Sequence, residues 1–314
     1  MKKGKMTMTS RDKYDSLFCL CIVAIFIIQW LVFWVGGNLN SIRLAFTEFD
    51  VNTESHVLLP MNELFSNFKK FVGDVFAENV GGYVLNGVVM HLISVVICLP
   101  MSFMIAFILY KKLPGSEMYK VLLYLPCILS TMVTVLLYKH FIEGFVGTMW
   151  YRIFHESMGP VFRNPDYDWL VVSIYIVFFG IAGNLLINLG TMSRIPPDLI
   201  EYGELEGISL FKEFCMITLP LMFPVIQVQC LGLFVGFFTT QGPLYAIYSG
   251  NAPDNIQTFG YYLFTSVYQG RGGVRPEFMY GYNSAANLLI GIVSIPIVQA
   301  TKWLFDKFDP GAEF

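Results

Sequence analysis

Long uncharged hydrophobic stretches alternate with short polar segments along most of this chain. An α-helix needs roughly 20 apolar residues to cross a hydrocarbon core of about 30 Å. Six stretches contain no Asp, Glu, Lys or Arg and reach about this length: Leu17–Gly37, Val84–Tyr110, Val121–Tyr138, Trp169–Gly190, Leu221–Tyr248 and Met279–Thr301. The pattern therefore predicts an all-α polytopic membrane protein with six transmembrane helices.

Composition supports the same class. The chain has 314 residues, of which 55% are hydrophobic and only 14% charged, whereas soluble domains carry about 25% charged residues. The first stretch is longer than the apolar core of a signal peptide, and Val35-Gly36-Gly37 makes a weak cleavage site. We therefore expect it to be a retained helix.

Proline lies inside four of the predicted spans. Each proline removes a backbone donor and bends its helix, which membrane helices tolerate where neighbouring groups satisfy the freed carbonyl. Bends are therefore predicted at Pro100, Pro126, Pro224 and Pro296.

A different periodicity precedes the second span. Between Leu64 and Phe76, apolar residues recur at spacings of three and four, opposite Lys69, Lys70 and Asp74. This pattern predicts an amphipathic helix. Such a helix either lies along the membrane surface or packs as a small loop helix, and the sequence leaves both alternatives open.

Lysine and arginine predict the orientation of the chain, because these residues are enriched in cytoplasmic loops. If the N-terminus is cytoplasmic, 12 of the 20 Lys and Arg residues fall in the shorter, inner segments and 8 in the longer, outer ones. The prediction is a multi-pass protein of the cell (inner) membrane with both termini cytoplasmic. The segment between the fourth and fifth spans is then cytoplasmic.

Sequence patterns of known catalytic and nucleotide-binding sites are missing. The chain has no GxxxxGK[ST], HExxH, GxSxG or CxxC, so we predict no enzyme activity, no bound cofactor and no metal site. The predicted spans also contain no carboxylate, which argues against an ion-coupled carrier. Neutral amides can bind the hydroxyl groups of an uncharged solute or join helices, and the candidates for lining a solute path are Asn184, Asn188, Gln227 and Gln229.

The charged segment after the fourth span has the signals of two short helices. Pro196-Pro197-Asp198 predicts a helix start, since proline fits the first turn and an acidic residue favours the positive end of the helix dipole. Gly207 predicts the end of the first helix, and Ser209 predicts the N-cap of a second one running through Met216. Pro220 is then expected to begin the next membrane helix. The product is a helix–Gly–helix elbow, with small Gly203 allowing the close approach of a partner.

At these residues the chain resembles the permease subunits of binding-protein-dependent ABC importers. Their pattern is EAA, three residues, Gly, nine residues and I-x-L-P. Here Glu201-Tyr202-Gly203, Gly207 and Ile217-Thr218-Leu219-Pro220 have the same spacing. Departures from the pattern include Tyr202 and Gly203 in place of the two alanines, and Glu206 in place of the usual aspartate. FSNFKKF before the second span and SGNAP at Ser249–Pro253 resemble the sugar-importer branch.

The resemblance implies a type I ABC importer permease fold and a set of partners. A second permease subunit would complete the path, two cytoplasmic ATPase subunits carrying ATP and Mg would dock on the elbows, and an external solute-binding protein would deliver a sugar. It implies membrane lipid around the chain and no nucleic acid. The residues that it assigns to ATPase coupling are Glu201, Tyr202, Gly203, Glu206, Gly207, Ile217, Leu219 and Pro220.

These observations predict three regions: residues 1–63 with the N-terminal arm, first helix and outside loop; 64–305 with the permease core and its coupling segment 194–220; and 306–314 as a cytoplasmic tail. The competing hypothesis is an ion-coupled secondary carrier or channel, and uptake that survives ATP depletion would favour it.

Overall fold

A computed structural model describes residues 10–77, 80–112, 114–159, 161–236, 238, 240–270, 273–309 and 311. Lys2, Lys3 and Lys5, which contribute to the predicted orientation, lie outside the described residues.

The described chain is mostly helical, as the hydrophobic pattern predicts. Its α-helices are Ser10–Gln29, Gly36–Ala45, Ser66–Ala77, Val80–Ile93, Leu99–Tyr110, Ser116–Ile128, Thr131–Lys139, Gly147–Phe154, Asp168–Gly183, Leu185–Met192, Pro197–Leu205, Leu210–Glu213, Leu219–Leu221, Phe223–Gly236, Leu244–Tyr248, Phe259–Tyr268 and Pro276–Phe308. π-Helical turns occupy Trp30–Val35, Ser94–Cys98, His140–Val146 and Phe214–Thr218, and a 3-10 turn occupies Val161–Arg163. The amphipathic pattern before the second span is confirmed as the helix Ser66–Ala77.

Four helices are long and apolar enough to cross a membrane: Phe18–Ala45, Val80–Tyr110, Asp168–Met192 and Pro276–Phe308. Two further pairs of helices, Ser116–Ile128 with Thr131–Phe154 and Leu210–Leu221 with Phe223–Phe234, meet the same criteria if each bent pair is one span. The described residues therefore contain four to six candidate spans, and the upper number agrees with the six predicted.

The third predicted span is broken rather than continuous. Its two helices meet at an angle of 108°, because Leu129 and Ser130 have extended backbones and the Ser130 hydroxyl caps the next helix by accepting from the Val133 N–H at 3.4 Å. The bend follows Pro126 by a few residues. A serine N-cap is a strong start signal, so the break is specified locally.

The fifth predicted span is also shorter than the hydrophobic pattern suggested. Its helix runs over Phe223–Gly236, and Leu244–Tyr248 forms a separate short helix after an intervening segment. A 70° bend separates this span from the preceding helix, next to Pro224. Pro100 and Pro296 instead lie within continuous candidate spans. Of the four prolines at which bends were predicted, only Pro126 and Pro224 therefore lie next to a break.

Contacts divide the chain into two units, Met1–Phe71 with Glu277–Leu288, and Val72–Pro276 with Leu289–Phe314. The first unit contains an antiparallel hairpin of Thr47–Asp50 with Ser55–Leu58, a departure from the all-α expectation. The Asn67 amide donates to the carbonyls of Ala45 and Thr47, at 3.0 Å each. A Cβ at Gly281 would collide with the Thr47 carbonyl, so this glycine permits the contact between helix and hairpin.

The second unit contains two clusters of buried apolar side chains. One surrounds the base of the predicted elbow and includes Phe103, Phe107, Met192, Phe214 and Met222. The other, built largely from different helices, includes Val135, Tyr138, Val172, Leu244 and Tyr261. The predicted boundaries at residues 63 and 305 stay predictions.

Candidate functional site: the helix–glycine–helix elbow

The first helix of the elbow begins as its sequence indicates. It runs over Pro197–Leu205, with Pro196 as the N-cap residue and Asp198 in the first turn. Proline loses nothing at this position, because the first N–H groups of a helix have no partner within it.

Gly207 ends this helix in the left-handed conformation, with φ +69°. The Ile208 N–H donates to the Gly203 carbonyl at 3.2 Å, and the Gly207 N–H donates to the Glu204 carbonyl at 3.1 Å. These two bonds form a Schellman motif, which satisfies carbonyls that a helix end leaves open. The predicted glycine end is confirmed.

The second helix begins as predicted and ends later than predicted. The Ser209 hydroxyl accepts from the Lys212 N–H at 3.4 Å, which confirms the N-cap. The helix then continues through the π-turn Phe214–Thr218 to Leu221, so the expected end at Met216 and the expected membrane-helix start at Pro220 were wrong. In the π-turn the Leu219 N–H donates to the Phe214 carbonyl, five residues earlier. This wider turn directly precedes Pro220, whose ring would clash inside a regular α-helical turn.

Gly203 packs inside the elbow and does not offer space to a partner. It is buried, and a Cβ at this position would lie 2.9 Å from Ile208 Cδ1 and 3.0 Å from Ile217 Cδ1. The expectation that Gly203 admits a partner was therefore wrong: the small residue lets the two isoleucines of its own chain close the elbow. The predicted coupling residues thus divide into two groups, one that builds the elbow (Gly203, Ile217, Leu219, Pro220) and one that is exposed (Glu201, Tyr202, Glu206, Gly207).

The exposed face of the elbow combines apolar side chains with carboxylates. Tyr202 is 64% exposed, Leu205 87% and Phe211 69%, and Glu201 and Glu206 are also exposed. Leu205 and Phe211 were not among the predicted coupling residues, although two large apolar side chains in a charge-rich segment were a visible signal. An exposed apolar patch rimmed by charges is typical of a protein interaction site.

An ion pair that the sequence analysis missed anchors the elbow. Lys111 Nζ lies 2.6 Å from Glu213 Oε1 and 3.7 Å from Glu204 Oε1. Glu213 is only 3% exposed, whereas the Glu204 side chain is 68% exposed. Phe107 and Phe214 pack beside this pair, with ring centroids 5.2 Å apart. Lys111 thereby connects both arms of the elbow to the end of the span Val80–Tyr110.

The candidate path amides make contacts between helices. Asn188 is fully buried, donates to Ser102 Oγ at 3.1 Å and accepts from Gln229 Nε2 at 2.6 Å. Gln227 Nε2 donates to Asp306 Oδ1 at 2.7 Å. Asn184 is half-buried at the junction of Asp168–Gly183 and Leu185–Met192. Their assignment to a solute path stays a prediction.

A separate cavity of about 410 Å³ lies among the candidate spans. Its polar lining includes Ser94, Thr131 and Thr240, its aromatic lining includes Tyr175 and Phe179, and none of the four amides lines it. Hydroxyl groups rather than amides supply much of this cavity's polarity, and serine and threonine are common enough in membrane helices that the sequence did not single them out.

Known proteins resemble this chain over most of its length. No protein-family model matches the sequence. The chain is 25% identical over 301 residues to the probable ABC transporter permease protein YesP of Bacillus subtilis (strain 168), covering 92% of each protein. It is 25% identical over 233 residues to the maltose/maltodextrin transport system permease protein MalF of Escherichia coli (strain K12), covering 70% of this chain and 45% of MalF. The chain thus matches less than half of MalF.

Two crystal structures have the same fold. One is a bacterial ABC transporter involved in the import of the acidic polysaccharide alginate, with a TM-score of 0.76 at 16% identity, covering 95% of this chain and 98% of that chain. The other is a bacterial alginate ABC transporter in complex with an alginate pentasaccharide-bound periplasmic protein, with a TM-score of 0.74 at 16% identity, covering 96% and 98%. The chain is therefore a homologue of ABC transporter permeases and has the fold of an ABC importer permease.

Proposed function

We propose that this chain is a transmembrane permease subunit of an ABC importer that, with a second permease subunit, forms the path for a sugar or oligosaccharide. Separate ATPase subunits, which bind ATP and Mg, dock on the elbow, and an external solute-binding protein delivers the solute. The observation that carries the proposal is the elbow itself, which is capped at Gly207 and Ser209, anchored by Lys111, and exposed at Tyr202 and Leu205.

The exposed face of the elbow supports a docked protein partner. Its apolar side chains would be covered by a partner, and the carboxylates of Glu201 and Glu206 at its rim would face basic groups there. Apolar anchors supply most of the affinity of an interface, and rim charges contribute mainly to specificity. The ion pair of Lys111 with Glu213 would transmit a movement of the elbow to the span Val80–Tyr110.

The names of the relatives support a carbohydrate solute and the partner set. MalF belongs to a maltose/maltodextrin transport system, and one structural neighbour was solved with a periplasmic protein carrying an alginate pentasaccharide. The predicted localisation in the inner membrane, with both termini cytoplasmic, places the elbow on the ATPase side.

Two substitutions test the coupling role. Gly207→Pro removes the left-handed cap, and Glu201→Lys reverses the charge of an exposed carboxylate in the middle of the helix Pro197–Leu205. Both should abolish ATP-dependent uptake of labelled oligosaccharides while the protein stays in the membrane. Glu63→Lys, an equal charge reversal at an exposed residue outside the elbow, should leave uptake unchanged.

Normal uptake by both elbow variants would refute the docking assignment. Uptake that persists after ATP depletion would favour the ion-coupled carrier instead.

A further inference from the structure

A polar pocket of about 500 Å³ lies at the opposite end of the span Asp168–Met192 from the elbow. A helix of 25 residues separates the two sites by roughly 36 Å. The pocket is lined by Lys139, Glu143, Phe162, Asp168, Tyr248 and Asn251, among others. Asn251 belongs to the SGNAP stretch, which the coupling function does not use. A volume of this size is within the range of small-molecule sites.

Asp168 is the buried carboxylate in the lining of this pocket. It is fully buried at the first turn of its helix, and Oδ1 accepts from the Tyr248 hydroxyl at 2.8 Å. Burial and the neighbouring carboxylate raise the pKa of Tyr248, so the phenol keeps its proton and is the donor. No described residue donates a hydrogen bond to Oδ2. The helix dipole favours an acidic residue here, but it supplies no donor for this oxygen, and a buried carboxylate oxygen without one is costly.

Lys139 lines the same pocket with donors to spare. Its Nζ donates to the Ile247 carbonyl and lies 5.6 Å from the centre of the Phe162 ring. An ammonium group has three donors, so it retains hydrogen-bonding capacity beyond this bond. Lys139 and Asp168, both described, are not joined by an ion pair although they share a pocket. The pocket thus presents a carboxylate acceptor and an ammonium donor that do not satisfy each other.

We propose that this pocket binds one unit of a neutral saccharide, whose adjacent hydroxyls bridge Asp168 and Lys139. Each hydroxyl both donates and accepts, so one can donate to Asp168 Oδ2 while its neighbour accepts from Lys139 Nζ. Because Asp168 is fully buried, we expect the ligand to reach it when the half-buried Tyr248, which donates to its other oxygen, shifts. An acidic sugar is opposed by Asp168 and Glu143, and a cationic guest, although it suits the carboxylates, would offer no acceptor to the donors of Lys139.

The role of this site rests on the proposed function, in which the Asp168 end of the span Asp168–Met192 faces the solute-binding protein. The pocket would then receive a sugar unit at the outer entrance before it enters the spans. The proposed function leaves the charge of the sugar open, and one structural neighbour is involved in the import of an acidic polysaccharide. A neutral sugar is therefore a more specific proposal for this chain. The ligand chemistry itself depends only on the residues of the pocket.

Binding to the purified full chain in lipid nanodiscs tests this site without ATP or partner subunits. Saturation-transfer NMR would compare maltotriose, trigalacturonate and N-acetyl-arginine methyl ester as neutral, acidic and cationic probes. We expect maltotriose to bind, and trigalacturonate and the arginine ester to bind at least about tenfold more weakly. Asp168→Asn and Lys139→Met should each weaken maltotriose binding about tenfold, the effect of losing one hydrogen bond to a charged group.

Asp166→Asn is the matched control, since this aspartate is exposed nearby and does not line the pocket; its binding should equal that of the unaltered chain. Preference for the acidic or cationic probe would overturn the proposal, and so would maltotriose binding that neither pocket variant changes, or its absence. If Asp168→Asn fails to fold, Lys139→Met and the probe preference of the unaltered chain still decide. The two failures are distinguishable: normal uptake in Gly207→Pro would refute the coupling role, whereas absent maltotriose binding to the unaltered chain would refute the pocket.

Discussion

Lys111→Ala should loosen the elbow from the end of its neighbouring span. The substitution leaves Glu213, which is 3% exposed, without its cation at 2.6 Å. Removing one partner of a buried ion pair costs about 3–5 kcal/mol, because the remaining charge is buried and uncompensated. The contact of Lys111 with Glu204 adds little, since that carboxylate is 68% exposed and water screens it. Nearly all of the effect should therefore come through Glu213.

Hydrogen–deuterium exchange of the purified full chain measures this loosening directly. Backbone amides in Leu210–Leu221 should exchange at least about 100-fold faster in Lys111→Ala, since each 1.4 kcal/mol of local stability changes the open population tenfold. The control is Lys120→Ala, which removes a pair of the same 2.6 Å length whose partner, Glu117, is 83% exposed. That variant should leave exchange in the elbow unchanged.

A double variant separates charge from packing. Lys111→Met with Glu213→Gln removes both charges at similar volume, and such replacements of buried pairs are often neutral or stabilising. The double variant should therefore recover much of the lost protection. Equal exchange in Lys111→Ala and Lys120→Ala would refute the reasoning, as would a double variant no better protected than Lys111→Ala.

Three further predictions concern topology, the buried amides and the elbow glycine. In a background without the six native cysteines, a cysteine at Lys212 should be labelled only from the cytoplasm and one at Asn251 only from outside; the reverse pattern would overturn the predicted orientation. Asn188→Leu strands the amide of Gln229 and should lower detergent stability by about 1–3 kcal/mol, measured by thermal unfolding, whereas unchanged stability with altered transport would assign Asn188 to the path. Gly203→Ala should keep most uptake, because only flexible isoleucine ends lie in the way, and Gly203→Val should lose it by overpacking; equal uptake by both would contradict the close packing.

The ends of the elbow helices could be predicted because their causes are local. Pro197, Gly207 and Ser209 act within one turn of themselves, through ring geometry, positive φ and a side-chain cap. The six hydrophobic stretches could likewise be predicted, because a helix in lipid requires a long run of apolar residues. Neither kind of signal depends on which helices pack together.

Two of the features that escaped prediction depend on contacts between separate helices or turns, and the third has a local cause that hydrophobicity does not show. Lys111 meets Glu213 only because two helix ends come together, and neither residue is unusual in its own segment. Gly203 was assigned to a partner because it is small. Its neighbours in space, Ile208 and Ile217, belong to other turns, so the sequence did not show that they fill the space beside it. The hydrophobic pattern depends on composition and carries no information on the direction of the helix axis. It therefore could not show that the third span turns at Ser130.

The bend at Met222 joins the second helix of the elbow to the span that follows it, and these two helices have the geometry of a two-armed lever. Met222 is fully buried, its N–H donates to the Thr218 carbonyl, and its own carbonyl accepts from Val225 and Ile226, so the joint is stiff. The arm Leu210–Leu221 is roughly 18 Å long and the arm Phe223–Gly236 roughly 21 Å. If the pair turns as one body about this joint, a displacement of about 3 Å at the far end of the first arm rotates it by roughly 10° and carries Gly236 by about 3.5 Å. Gly232 and Gly236 line the 410 Å³ cavity. A displacement of the elbow helix Leu210–Leu221 would therefore move the cavity wall by a similar distance.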